Sequence, residues 1–211
     1  RLARFYGTVV NLAIANDWMH KNPFAGIRFQ EKEVIREVLT KEEIERMMCK
    51  EFALPRLEYV RDVFIFCVFT GMAYVDVNNL RQEHIVRDNN DDLWIRKARQ
   101  KTNNMCNIPL LKIPQLLMEK YKNHPLCTKT GALLPVPSNQ KMNSYLKEIA
   151  DFCGIQKNLT THTARHTFAT VVALANGVSM ENIAKMLGHS DIRMTQRYAK
   201  VMDSSIMRDM E

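Results

Sequence analysis

The stretch LEYVRDVFIFCVFTGM, residues 57–72, limits the possible folds more than any other part of the chain. It is strongly apolar, yet no run in the sequence approaches the roughly 18 apolar residues of a membrane span. A segment of this kind is expected to be a buried helix, stopped near Gly71, with other elements packed around it. Hydrophobic residues make up 46% of the 211 in the chain, enough to build that surrounding core.

The rest of the chain reads as helices round one small sheet. Residues 2–19 carry apolar side chains at helical spacing until Asn22-Pro23 and Gly26 break the pattern. The charged stretch 28–38 reads as a linker. At LTKEEIERMM a new element opens, with Thr40 and Glu43 forming a capping box. A domain boundary is placed near residue 35. The chain begins at Arg1 rather than Met, so it is expected to be an excised piece whose first helix closes an upstream domain. Asn/Asp clusters at 88–92 and 103–104 bracket short segments near 84–87, 93–99 and 105–110, a three-stranded antiparallel sheet. Pro114 suits a first helical turn, LLPVPSN is a loop, and 139–152 is helical. THTARHTFATVVALANG, residues 161–177, reads as one long buried helix stopped by Asn176-Gly177. Ser179 caps the next helix and Gly188 stops it. Ser190 or Asp191 caps the helix that carries Tyr198. The fold class is mainly α with a small three-stranded antiparallel sheet, α+β.

Lys and Arg number 30 against 23 Asp and Glu, giving +7 and a pI near 9.2. That balance favours a polyanionic partner, nucleic acid above all. The five cysteines include no C-x-x-C pair and are expected to be reduced cytosolic thiols, mostly buried. No His/Cys/Asp cluster has metal-ligand spacing, and no converging carboxylates suggest a two-metal nuclease. Neither cofactor nor metal is expected, and nothing at the start resembles a signal peptide.

His162 and Arg165 stand three apart near a helix N-terminus, on one face. Guanidinium and imidazole there can hold a phosphate, although a helix start with two solvated polar side chains fits the pair as well. His189 in the Gly188-His189-Ser190 turn, taken alone, reads as structural, and Tyr198 alone reads as packing. Residues 178–198 also read as a helix-turn-helix, a DNA-binding module without chemistry.

Taken together, these residues resemble the tyrosine recombinases, the phage-integrase family. The pattern is His162-x-x-Arg165, then LGHS with His189, then Tyr198 nine residues on. FTGMAYVDVNNL stands where the family has its T-G-x-R-x-x-E-L segment, and RQKTNNMCNIPL resembles its hairpin, with Lys101 at the lysine position. The resemblance implies the tyrosine recombinase catalytic-domain fold over 36–211, preceded in 1–35 by the C-terminal end of a DNA core-binding domain plus linker. It implies cleavage and rejoining of double-stranded DNA through a 3′-phosphotyrosine on Tyr198, without ATP or metal. Arg165 and His189 would hold the nonbridging phosphate oxygens. His162 would assist there or act as acid/base for the tyrosine, and Lys101 would protonate the leaving 5′-oxygen. The implied setting is integration or excision of a mobile element by a tetramer on two DNA sites, with accessory DNA-bending proteins, in the bacterial cytoplasm at the nucleoid and with no membrane partner. The tail 200–211, with Val201, Ile206, Met207 and Met210 on one face, would dock on a neighbouring protomer.

One position departs from the pattern. The family's first arginine stands three residues before the acidic residue of the TG segment; here Asp76 is present but position 73 is alanine. The chain thus resembles integrases of mobile elements that lack this arginine. Arg99 is the first candidate to replace it, since residues two apart on a strand point the same way and Lys101 follows by two. Arg61 and then Arg81 are the alternatives. The rival reading is a catalytically inactive, recombinase-like or helix-turn-helix DNA-binding regulator. Of the remaining residues, Asp76 is expected to orient basic groups, His166 to be structural or a DNA contact, Trp94 to pack the sheet, and Met186 and Leu187 to bury against Phe168 and Val172.

Overall fold

The computed structural model describes residues 2–27 and 37–199. The chain divides into two compact units between Ile35 and Arg36. In the first, helix α1 (Leu2–Ala15) ends where Asp17 takes a left-handed φ of 57° and the Trp18 amide donates back to Ala13 O at 2.9 Å. The Asn22 side chain then accepts from the Phe24 amide at 2.8 Å, an Asx turn across the Asn-Pro break. Residues 28–36 and the tail 200–211 lie outside the described residues, and the expected tail docking with them.

The second unit opens on α2 (Lys41–Cys49). Its capping box is formed as expected: the Glu43 amide donates to Thr40 Oγ1 at 3.2 Å and the Thr40 amide to Glu43 Oε2 at 2.8 Å. The apolar stretch is α3 (Pro55–Thr70), with Pro55 in its first turn and Gly71 at φ 67° as its left-handed stop. Val60, Val63, Phe64, Phe66, Cys67 and Val68 are fully buried. With Arg61, Asp62 and Ile65, which are buried as well, they face in all directions round the helix, so α3 is the axis of the unit, enclosed by α2, α5 (Lys112–Tyr121), α7 (Asn139–Phe152) and α8 (Thr161–Thr167). Each such side chain contributes roughly 1.5–3 kcal/mol by leaving water.

Short α4 (Tyr74–Asn78) leads into the antiparallel sheet β1 (Ile85–Arg87), β2 (Leu93–Ala98) and β3 (Met105–Pro109), in that order. Trp94 stands opposite Val86 on one side and Pro109 on the other, and its indole donates to Asp88 Oδ2 at 2.9 Å. The Asn/Asp clusters supply the left-handed turn residues, Asp91 at φ 67° and Asn103 at φ 55°. Helix α6 (Pro125–Thr130) follows α5 and was not foreseen from the sequence. Four cysteines are buried and Cys49 is exposed, all as free thiols.

The segment 161–177 is not one continuous α-helix. After α8 the backbone widens into a π-helical stretch, Phe168–Ala173, and tightens into a 3-10 turn, Leu174–Asn176, before Gly177 stops it at φ 81°. The threonines explain the break. Thr167 Oγ1 donates to Thr163 O at 2.9 Å and Thr170 Oγ1 to His166 O at 2.8 Å. The hydroxyls thus compete for carbonyls that the regular amide ladder would use. Ser179 then caps α9 (Met180–Leu187), which Gly188 ends at φ 60°. Helix α10 (Arg193–Ala199) follows, with Asp191 rather than Ser190 accepting from its first amide, Arg193 N, at 2.9 Å. Phe168, Ala169, Ala173, Ile183, Leu187 and Tyr198 form a small core of their own, with Met186 and Val172 packed on it. Among the described residues no helix is long and apolar enough to cross a membrane.

Candidate active site

Two glycine-stopped helices meet at one arginine. Helices α3 and α9 end at Gly71 and Gly188, leaving carbonyls without amide partners. Arg165, one turn into α8, donates through Nη1 to Gly71 O at 2.7 Å and through Nη2 to Leu187 O at 2.5 Å. The C-terminal ends of two helices favour a cation, and the carbonyls satisfy a guanidinium that is only 6% exposed. Burial, then the nearby Arg99, push the Arg165 pKa down, while Tyr198 and Cys106 partly offset them. A side chain at Gly71 would strike Phe168 at 2.5 Å and Leu187 at 2.7 Å, so the helix ends approach closely because glycine stands there.

Arg165 Nη2 also lies 3.2 Å from His189 Nε2, and His189 Nδ1 lies 2.8 Å from Thr195 Oγ1. An arginine can only donate, so Nε2 is the acceptor and the proton of a neutral ring sits on Nδ1. Burial, then the Arg165, Arg99 and Arg197 charges, lower the His189 pKa from 6.5 to about 4. The Tyr198 ring is stacked on His189, with centroids 6.3 Å apart and planes 12° from parallel. The His166 ring also meets it, edge-on, at 5.2 Å and 60°. Tyr198 is 6% exposed. His166, expected to be structural or a DNA contact, therefore packs on the candidate nucleophile.

The hairpin closes the site from the opposite side. Asp76 on α4 accepts from the Gln100 amide at 2.9 Å and lies 3.8 Å from Arg99 Nε. Asn104 Nδ2 donates to Gly188 O at 3.2 Å, pinning the turn to the end of α9. A Cβ at Gly188 would meet Arg99 Cδ and Cys106 Sγ, both at 2.7 Å. Arg99, Asp76, Cys106, Arg165 and Lys97 line one small cleft. Arg99 Nε is buried and has no hydrogen-bond partner among the described residues.

Lys101 does not lie on the strand. Strand β2 ends at Ala98, Arg99 continues the ladder through Asn104 O at 2.9 Å, and Lys101 is exposed in the turn. The same-side argument linking Lys101 to Arg99 therefore fails, because the ladder stops between them; Arg99 reaches the cleft from the strand end and Lys101 stands in solvent on a short turn. His162 is exposed on the first turn of α8, one turn before Arg165. The alternative cations are committed elsewhere. Arg61 Nη1 donates to Met47, Met48 and Lys50 carbonyls at 2.8, 3.0 and 2.9 Å. Arg81 Nη1 donates to Asn78 O at 3.0 Å and Leu80 O at 3.1 Å. Ala73 is the residue before α4 and brings no charge. Sequence reasoning missed Thr195 and Cys106, and it placed His166 away from the nucleophile. The usable signal was Thr195, one helical turn before Tyr198; the other two depend on how α10 and the hairpin fold back.

The model of the phage integrase family matches residues 37–205. The tyrosine recombinase XerD of Staphylococcus saprophyticus is 40% identical over 95 residues, which cover 45% of this chain and 31% of that protein. XerD of Staphylococcus aureus strain Mu50 is 42% identical over 71 residues. The chain thus spans about a third or less of the length of these relatives. Among solved structures, the Tn1549 transposon integrase in complex with circular intermediate DNA superposes with a TM-score of 0.69 at 17% identity, over 99% of this chain and 75% of that one. A lambda integrase dimer bound to a COC′ core site gives 0.67 at 19% identity, over 89% and 68%. The XerA recombinase gives 0.60 at 23% identity, over 83% and 65%. The fold is that of the tyrosine recombinase catalytic domain.

Proposed function

The chain belongs to the phage integrase family, and on that premise we propose that it is a site-specific DNA recombinase that works through a 3′-phosphotyrosine on Tyr198. The observation that carries this reading is the placement of Tyr198 against His189, with Arg165 bridging two helix ends beside them. The tyrosine oxygen attacks a DNA phosphorus, the bond to the 5′-oxygen breaks, and the tyrosine proton leaves to a base. Lys101 gives a proton to the departing 5′-oxygen, and a 5′-hydroxyl later reverses the step. The pentacovalent phosphate carries more charge than the ground state, so fixed donors act mainly at the transition state. Arg165 and His189 supply them, His162 assists from the same helix, and Arg99 replaces the arginine absent at Ala73. Lys101 and His162, exposed here, meet the phosphate once DNA lies on the site.

The solved relatives bound to DNA and the +7 charge support duplex DNA as the partner. The wider reading is integration or excision of a mobile element by a tetramer on two sites, with DNA-bending proteins assisting, in the cytoplasm at the nucleoid. Residues 1–35 act as the end of a DNA core-binding domain and 36–211 as the catalytic domain. The alanine at position 73 favours the second reading, an inactive DNA-binding member. A nicked suicide substrate carrying the native site separates the two. The protein is expected to be trapped covalently at Tyr198, and Tyr198→Phe to bind DNA without an adduct. An adduct mapped to Tyr121 or Tyr145 rejects Tyr198 as the nucleophile, and none at all with DNA still bound rejects the recombinase reading.

A further inference from the structure

Thr195 is fully buried, and its hydroxyl faces His189 Nδ1 at 2.8 Å. A buried threonine can be present for packing alone. Here the other nitrogen of the same imidazole faces a donor, Arg165 Nη2, at 3.2 Å. The ring must therefore keep a lone pair on Nε2, and its single proton is held at Nδ1 by Thr195. The groups facing His189 from the packed elements are Arg165 on α8, Arg99 beyond β2, and Arg197 and Tyr198 on α10. The three guanidiniums are positive, so the ring is held neutral and tautomer, not charge, is the variable left to the protein.

Holding a phosphate oxygen, the role proposed above for His189, needs the other tautomer, with the proton on Nε2. A hydroxyl is the side-chain group that suits both. Its oxygen accepts from Nδ1–H, and after rotation its own proton is donated to a bare Nδ1. We infer that Thr195 is a positioning residue that lets His189 exchange tautomers between the DNA-free and phosphate-bound states, Nε2 giving up its contact with Arg165 for the phosphate as it does so. The ring carries one proton in both states: one is taken up from water at Nε2 and one released to water from Nδ1. Thr195 sits three residues before Tyr198 on α10, so the helix that delivers the tyrosine also orients the histidine beside it. This inference rests on the recombinase reading for its phosphate-bound half.

The test pairs spectroscopy with cleavage on the full chain. Nitrogen NMR of labelled histidine should find His189 protonated on Nδ1 in the free protein. In Tyr198→Phe bound to an uncleaved DNA site it should be protonated on Nε2. Thr195→Val keeps the shape and removes the hydroxyl; it should blur the free-state signal into a mixture and slow adduct formation about tenfold, the worth of one hydrogen bond, with DNA affinity unchanged. Thr195→Ser should restore both the single tautomer and most of the rate, which a packing role would not predict. A free-state proton on Nε2, one tautomer in both states, or Thr195→Val reacting at the parental rate overturns the inference. If the parental protein forms no adduct on DNA that it binds, the recombinase reading falls, and the free-state NMR of Thr195→Val still decides whether Thr195 sets the tautomer.

Discussion

Arg61 is 8% exposed and Arg165 is 6% exposed. Both turn a guanidinium onto the carbonyls at a helix end: Arg61 onto those that finish α2, Arg165 onto those that finish α3 and α9. The difference lies in what faces their remaining charge. Arg61 Nε is 2.5 Å from Asp62 Oδ1, and the same carboxylate accepts from Tyr121 at 2.7 Å and Lys120 at 2.7 Å. Among the described residues Arg165 has no carboxylate partner. Its neighbour is a second cation, Arg99, whose own acid, Asp76, stays 3.8 Å away. One buried arginine is closed by its carboxylate and serves the fold. The other is left with net positive charge in a cleft, the condition an anion site requires.

Breaking the closed cluster should have the largest effect. Arg61→Met leaves Asp62 buried with less compensation and is expected to cost about 3–5 kcal/mol, read by urea unfolding. A cost near zero would mean that the pair is decorative. Arg165→Lys keeps the charge but loses the fork. It should lower cleavage by roughly 10²–10³-fold while moving the urea midpoint less than Arg61→Met does; equal stability losses would erase the distinction between the two sites. Arg99→Ala should slow cleavage by roughly 10²-fold with little change in DNA affinity, the pattern of a contact made mainly in the transition state. Adding Ala73→Arg in that background should recover activity. Cleavage at the parental rate by Arg99→Ala alone removes it from the site.

The smallest effect expected is on acid stability. His189 has its pKa lowered from 6.5 to about 4 in the folded chain. Its contribution is complete above 6.5 and is lost as pH falls from 6.5 toward 4, because the unfolded chain takes up the proton first. The loss is about 1–3 kcal/mol, given partial solvent access. His189→Gln should flatten the pH dependence of unfolding across that window; an unchanged slope would mean that neither burial nor the cationic surroundings hold the ring's pKa down.

Much of this architecture was legible because local chemistry decides it. Thr40 and Glu43 announce α2, Gly71 and Gly188 end their helices, and the Asn/Asp clusters place the three strands to within about a residue of those observed. The long helix at 161–177 was misread because six residues of π geometry are too few to alter the apolar spacing, and the threonine back-bonds that break the ladder leave no periodic trace. The region round the site was harder to read. Helical angles place His166 about 100° from Arg165, yet Tyr198 arrives on that side because α10 folds back over the π-helical stretch. Lys101 was set on a strand because the ladder was carried two residues too far. Arg61 was held in reserve as a substitute cation because nothing local shows that it faces Met47 and Lys50.

Gly188 is a position where two tolerances part company. Its φ of 60° excludes most side chains, but asparagine accepts that backbone. The space is stricter than the angle, since any Cβ would collide with Arg99 Cδ and Cys106 Sγ at 2.7 Å. Gly188→Asn would therefore still turn the chain and still end α9, while forcing the arginine out of the cleft. Saturation mutagenesis scored for folding and for recombination would give different answers at this one site: a short list of survivors for the first, glycine alone for the second.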